Sequence, residues 1–124
     1  MFYVQYAHAR IASIFRTQAG CGARGLDDAR ADLELLSLPE EIGLVKRAAA
    51  FPDVLAACAR GLEPQPLAQY LVGLAAAFHG YYNRVRVISD DEGASRARLA
   101  LARGVGIVLR NGLGLMGIAA AEQM

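Results

Sequence analysis

Apolar residues recur at helical spacing along almost the whole chain, and no segment alternates as a half-buried strand would. A first helix is predicted over about 2–17, with Val4, Ala7, Ile11, Ile14 and Phe15 on its apolar side. The glycine-rich run GCGARG at 20–25 breaks it, and a short helix is predicted over 28–36. SLPEE opens the next helix. In it Ser37 and Glu40 have capping-box spacing, each satisfying the other's free backbone donor. Pro52 restarts the chain as a further helix, which Gly61 ends. The most continuous stripe belongs to a long helix beginning near Pro64 or Pro66. There Leu67, Leu71, Leu74, Phe78 and Val85 fall at i, i+4, i+7, i+11 and i+18. SDDEG at 89–93 reads as a solvated turn, with Ser89 and Glu92 as a second capping box. The last long helix is predicted to stop near Arg110, because Asn111 and Gly112 tolerate positive φ. An apolar tail, LGLMGIAAAEQM, follows. The pattern predicts one all-α bundle over 1–124.

Composition agrees with a globular chain: 55% of the residues are hydrophobic and 20% charged, so disorder is excluded. A chain of 124 residues buries roughly two-thirds of the surface its unfolded form exposes. Lys46 is the only lysine, so the cations are arginines, which suit phosphate forks and ring stacking. A coding bias would give the same excess. The net charge of +1 conceals segregation. Residues 1–25 carry Arg10, Arg16 and Arg24 with no acid, and 84–110 carry six arginines against Asp90, Asp91 and Glu92. The acids concentrate in 26–63, so the two outer segments are the candidate footprint for a polyanion. Cys21 and Cys58 form no CxxC pattern and read as free thiols of a reducing cytosol. Segment 64–83 lacks charged residues, but Pro64, Pro66, Gln65, Gln69, His79 and Asn83 interrupt it; this is a buried helix rather than a bilayer crossing.

Two clusters of candidate chemistry stand out. On the first helix Tyr3, Tyr6, Arg10, Ser13 and Thr17 share one stripe, with Arg16 beside it. His8 lies instead in line with Val4, Ile11 and Phe15, the position of a satisfied histidine at the core boundary. At the end of the long helix, FHGYYNRVRV places Tyr82 and Arg86 four apart, on a face shared with His79. Rings beside arginines can stack unpaired bases while guanidinium groups meet phosphates. Tyrosines that merely cover a core edge, and a Tyr–Arg contact that only finishes a helix, would look the same. Catalytic signatures are missing: the sequence has no HExxH, no GxxxxGK[ST] and no His/Cys pair at metal spacing. These residues point to a binding module for single-stranded nucleic acid.

The same residues carry a family resemblance. YVQYAHARIASIFR resembles the opening helix of the C-terminal, DALR-type anticodon-binding domain of arginyl-tRNA synthetases. FHGYYNRVRVI resembles that domain's central aromatic segment. SRARLALARGVGIVLRNGLGLMGIAAAEQM resembles its last helix and tail, including the NGL-x-L-x-GI run and the terminal methionine. The resemblance implies a helical bundle of the class I synthetase anticodon-binding type that recognises the anticodon loop of arginine tRNA isoacceptors. It implies that Tyr3, Tyr6, Arg10 and Arg16 line the anticodon site, that Tyr82 and Arg86 hold splayed bases, and that Met124 closes over them. Gln123 stands where the family commonly has arginine, Gly114 where an acidic or polar residue is usual, and Ala121 near a common proline.

The resemblance also implies a catalytic domain with a HIGH-type signature ahead of Tyr3, so the chain is expected to be a domain cut from a longer cytoplasmic enzyme rather than a natural stand-alone relative. That enzyme would join arginine to tRNA with ATP and Mg, while this domain holds no cofactor and touches no membrane. Two alternatives remain: a helical protein-interaction module, and the related domain of a glycyl-tRNA synthetase β subunit, against which YVQYAHAR argues.

Overall fold

The computed structural model describes residues 2–20 and 31–123, and the side chains of all of these except 17–20. Among them are five α-helices and no strand: α1 (Phe2–Gly20), α2 (Pro39–Ala49), α3 (Phe51–Gly61), α4 (Gln65–Arg84) and α5 (Glu92–Leu115). The glycine-rich run predicted as a loop lies outside the described residues from Cys21 onward. Of the short helix predicted over 28–36, only a 3-10 turn is described, Leu33–Leu35. The Asp32 side chain caps it by accepting from the Glu34 N–H, and Leu36 is extended and buried, so no α-helix forms over 31–36.

The predicted stripe of α4 makes it the centre of the bundle, packed against α1, α2, α3 and α5. Leu67, Leu71, Leu74, Ala75, Phe78 and Tyr81 are all buried along it. Val4, Ala7, Ile11 and Ile14 of α1 belong to the same core, as do Leu44 of α2 and Leu99, Val105, Leu109 and Leu113 of α5. Each large side chain so buried stabilises the fold by about 1.5–3 kcal/mol before entropy is counted. Val85 is only half-buried, because α4 stops at Arg84 and Val85 is already extended.

Helix ends depart from the sequence expectations in register. At α2 the cap is Leu38, one residue later than predicted; Pro39 takes the first helical position and the Glu41 carboxylate accepts from the Leu38 N–H. At α5 the cap is Asp91 rather than Ser89, its side chain accepting from the Ala94 N–H at 3.1 Å. Ser89 and Ser95 bond each other instead, the Ser89 N–H donating to the Ser95 hydroxyl at 2.8 Å. Gly61 is the last residue of α3, but Leu62 takes the left-handed position at φ 54°.

The stop predicted at Asn111-Gly112 is wrong. The helix continues to Leu115 and ends at Gly117, where φ is +74°. There the Ile118 N–H reaches the Leu113 carbonyl and the Gly117 N–H the Gly114 carbonyl, the paired bonds of a Schellman motif. Gly112 serves packing instead: a Cβ there would lie 2.5 Å from Leu71 Cδ2. Among the described residues no helix is long and apolar enough to cross a membrane.

Candidate nucleic-acid interface

The tyrosine–arginine stripe of α1 and the last turn of α4 meet across a hollow of about 450 Å³. Tyr6, Arg10, Ser13 and Arg16 line it from α1, Tyr82 from α4 and Gln123 from the tail. The Arg10 guanidinium carbon lies 5.4 Å from the Tyr6 ring centre and 4.7 Å from that of Tyr82. One cation therefore bridges two rings from separate helices, each contact contributing about 0.5–1 kcal/mol at an accessible site. The rings remain reachable: Tyr6 is 42% exposed and Tyr82 36%. The packing of α1 against α4 thus brings the two predicted clusters together, and Phe78, 6.0 Å from the Tyr82 ring, roots it in the core.

His79, which the sequence places on the face of Tyr82, is central to the cluster. Its ring lies 4.8 Å from Tyr3 and 5.5 Å from Tyr6, and only 8% of the residue is exposed. The Arg10 guanidinium donates to its Nδ1 at 3.1 Å. Burial of the ring, and then the Arg10 cation beside it, hold its pKa below the usual 6.5. The Tyr3 backbone works more weakly the other way, and Nε2 is buried without a full hydrogen bond. Tyr3 itself packs against His79 with its ring tilted by 50° and does not line the hollow. Spacing along α4 shows the face of His79 but not its contact with Arg10, which depends on how α1 packs against α4.

The tail is fixed by three side chains of α1 acting on its backbone. Gln5 donates to the Ala119 carbonyl at 3.0 Å, His8 Nδ1 meets the Ala121 carbonyl at 2.7 Å, and Arg16 donates to the Glu122 carbonyl at 2.6 Å. His8 is thus the satisfied boundary histidine expected from its position, with the proton on Nδ1. Arg16 is exposed, tethers the tail and lines the hollow at once. A second hollow of about 440 Å³ adjoins it between α1 and α5, where Arg16, Arg103 and Arg110 rim an apolar floor of Ile11, Phe15 and Ile107. Met124 and the Thr17 side chain lie outside the described residues.

Arg86 is not where the i, i+4 spacing put it. The chain leaves the helix after Arg84, so Arg86 is exposed on an irregular segment and is absent from the lining of the hollow. The cause is a buried network. Glu41 of α2, 1% exposed, accepts from the Tyr81 hydroxyl at 2.6 Å and from Arg98 Nε at 3.1 Å. Arg98 also donates to the Arg86 carbonyl at 3.0 Å, and Val87 turns inward to be buried. Burial and the neighbouring Glu41 carboxylate push the Tyr81 hydroxyl well above its usual pKa.

The hollow offers flat rings for stacking and planar cations for phosphate or base edges. Among the described residues no group of three His, Cys, Asp or Glu side chains could hold a metal ion.

Comparisons with known proteins bear on the family and the fold. The family model described as the DALR anticodon binding domain matches residues 4–124. The chain is 46% identical over 124 residues to an arginine–tRNA ligase of Geobacter metallireducens, all of this chain matching 22% of that protein. It is 47% identical over 129 residues to the arginine–tRNA ligase of Ralstonia nicotianae, again over all of this chain and 22% of the relative. The solved Thermus thermophilus arginyl-tRNA synthetase superposes with a TM-score of 0.83 at 36% identity, over 98% of this chain and 21% of that one. The chain thus spans about a fifth of the length of the relatives it matches.

Proposed function

This chain belongs to the DALR anticodon-binding domain family, and from that premise we propose that it reads the anticodon loop of arginine tRNA for an arginine–tRNA ligase. The observation that carries the proposal is the convergence of Tyr6, Arg10 and Tyr82 on one water-facing hollow. In this mechanism the loop unstacks and its bases rest on Tyr6 and Tyr82. Arg10 and Arg16 meet phosphates or base edges, and Tyr3 extends the aromatic surface. Met124 follows directly on Gln123, which lines the hollow, and we assign it the closing contact over the bases. Arg86 would act from the exposed segment beyond α4, on nucleotides flanking the hollow rather than inside it. The parent enzyme would supply the catalytic domain in cis together with ATP and Mg. The described residues of this chain do not fit that metal, since no acidic or imidazole cluster gathers to hold it.

The test is Tyr82→Ala, read by binding of a fluorescent anticodon stem–loop of an arginine tRNA. One lost base stack is worth about 1–3 kcal/mol, so affinity should fall about tenfold or more, with the helical circular dichroism unchanged because Tyr82 is surface-exposed. Unaltered affinity at low salt in a folded variant overturns the assignment. A stem–loop of glycine tRNA, compared side by side, tests the choice of amino-acid family: equal affinity for both would remove it.

A further inference from the structure

A phenylalanine at position 79 would fill its space among Tyr3, Tyr6 and Phe78 without burying any polar atom. What histidine adds is an acceptor. An arginine carries only donors, so the 3.1 Å contact from the Arg10 guanidinium requires a lone pair on His79 Nδ1 and places the ring proton on Nε2. The contact fixes where Arg10 goes. Its side chain is long and free to rotate, yet its guanidinium lies over Tyr6 and Tyr82 together.

We propose that His79 is a positioning residue for RNA: its Nδ1 lone pair holds the Arg10 guanidinium between Tyr6 and Tyr82, and protonation of the ring releases it. The inference rests on the hollow being the anticodon site. The titratable or charged groups against the ring are Tyr3, Tyr6 and Arg10, all from α1; its contact within α4 is apolar, with Phe78. Among the described residues no carboxylate pairs with it, so a proton gained by the ring meets the Arg10 cation with only the Tyr3 backbone to offset it. Burial and that cation already disfavour the charged form. RNA affinity should therefore fall as pH drops below about 6.5. An extra positive charge acting only by attraction on phosphates would produce the opposite trend.

Two substitutions separate the role of the lone pair from that of bulk. The Oδ1 of His79→Asn can occupy the place of Nδ1, whereas the polar end of His79→Gln extends to the place of Nε2 and leaves Arg10 unheld. In stem–loop binding by the 124-residue chain, His79→Asn should stay within about twofold of the parent and lose the acid-side decline, and His79→Gln should weaken binding about tenfold. An independent readout needs no RNA. The His79 ring resonance, followed by NMR, should titrate below 6.5 and move upward in Arg10→Gln.

Equal losses in the Asn and Gln variants, normal binding by the Gln variant, or a His79 titration indifferent to Arg10→Gln would each overturn the proposal. Tyr82→Ala keeps it distinct from the broader function. Normal binding by Tyr82→Ala overturns the anticodon assignment itself, and with it any role for His79 in RNA binding. Weakened binding by Tyr82→Ala beside normal binding by His79→Gln overturns the positioning role alone.

Discussion

Glu41 is a carboxylate sealed inside a small helical bundle, and its bonds explain how it can be there. The Leu38 N–H, the Tyr81 hydroxyl and Arg98 Nε all donate to it, joining α2, α4 and α5 at one point. A buried charge costs several kcal/mol unless it is paired and hydrogen-bonded, and here it is both. Removing it as Glu41→Ala would strand a buried phenol and a cation that is 21% exposed. Because Arg98 retains some water, the loss belongs at the low end of the buried-pair range, about 3 kcal/mol, measured by urea unfolding. The stripe of Arg10 and the face of Tyr82 were each legible from spacing, because helical period decides which residues of one helix lie together. That the two meet is set by the packing of α1 on α4. Glu41 was not legible, because in SLPEE a glutamate looks like the solvated half of a cap, and only the tertiary position of Arg98 makes an interior carboxylate tolerable. The face of His79 was readable from spacing, but its bond to Arg10 was not, because the two lie 69 positions apart.

Element boundaries show how local signals compete. The stripe Leu67–Leu71–Leu74–Phe78 was readable because burial on one face leaves a period that no other arrangement produces. The end of α5 was not readable, since Asn111-Gly112 and Gly117 are equally good stop signals and packing chooses between them. Gly112 is retained where α5 crosses α4 because Leu71, fully buried, occupies the space a side chain would need. Gly112→Ala gains about 1 kcal/mol of helix propensity and loses about 1–3 kcal/mol to overpacking. A net destabilisation is expected, and it should shrink when Leu71→Ala is combined with it. Gly104, in the same helix, has nothing within 4 Å of a built Cβ. Gly104→Ala should accordingly stabilise by about 0.5–1 kcal/mol, and thermal unfolding of both variants checks the contrast. Arg86 illustrates the converse error. Its i, i+4 relation to Tyr82 assumed a helix that the Arg98–Arg86 carbonyl bond and the inward turn of Val87 bring to an end.

Across the whole molecule, titration brackets the stability of the fold. His79 has a lowered pKa in the folded chain, so below 6.5 the unfolded chain takes up a proton that the folded one resists, and stability falls as pH drops through that value. Tyr70 and Tyr81 are raised, so above their ordinary 10.0 the unfolded chain gives up protons that the folded one keeps, and stability falls again as pH rises. Urea midpoints should form a plateau between these limits, with Tyr81→Phe softening the alkaline side. RNA binding is expected to report on the segregated charge through salt. With Arg10 and Arg16 at one hollow, and Arg103 and Arg110 at the next, the logarithm of affinity should decline linearly with the logarithm of salt by about 0.7 per phosphate engaged; a flat response would favour a docked protein instead. The tail carries a different kind of consequence. Gln5, His8 and Arg16 grip main-chain oxygens of Ala119, Ala121 and Glu122, never their side chains. Any side chain at 119, 121 or 122 that keeps the same main-chain path would leave all three bonds standing, whereas each replacement of Gln5, His8 or Arg16 on the opposing helix takes one of them away.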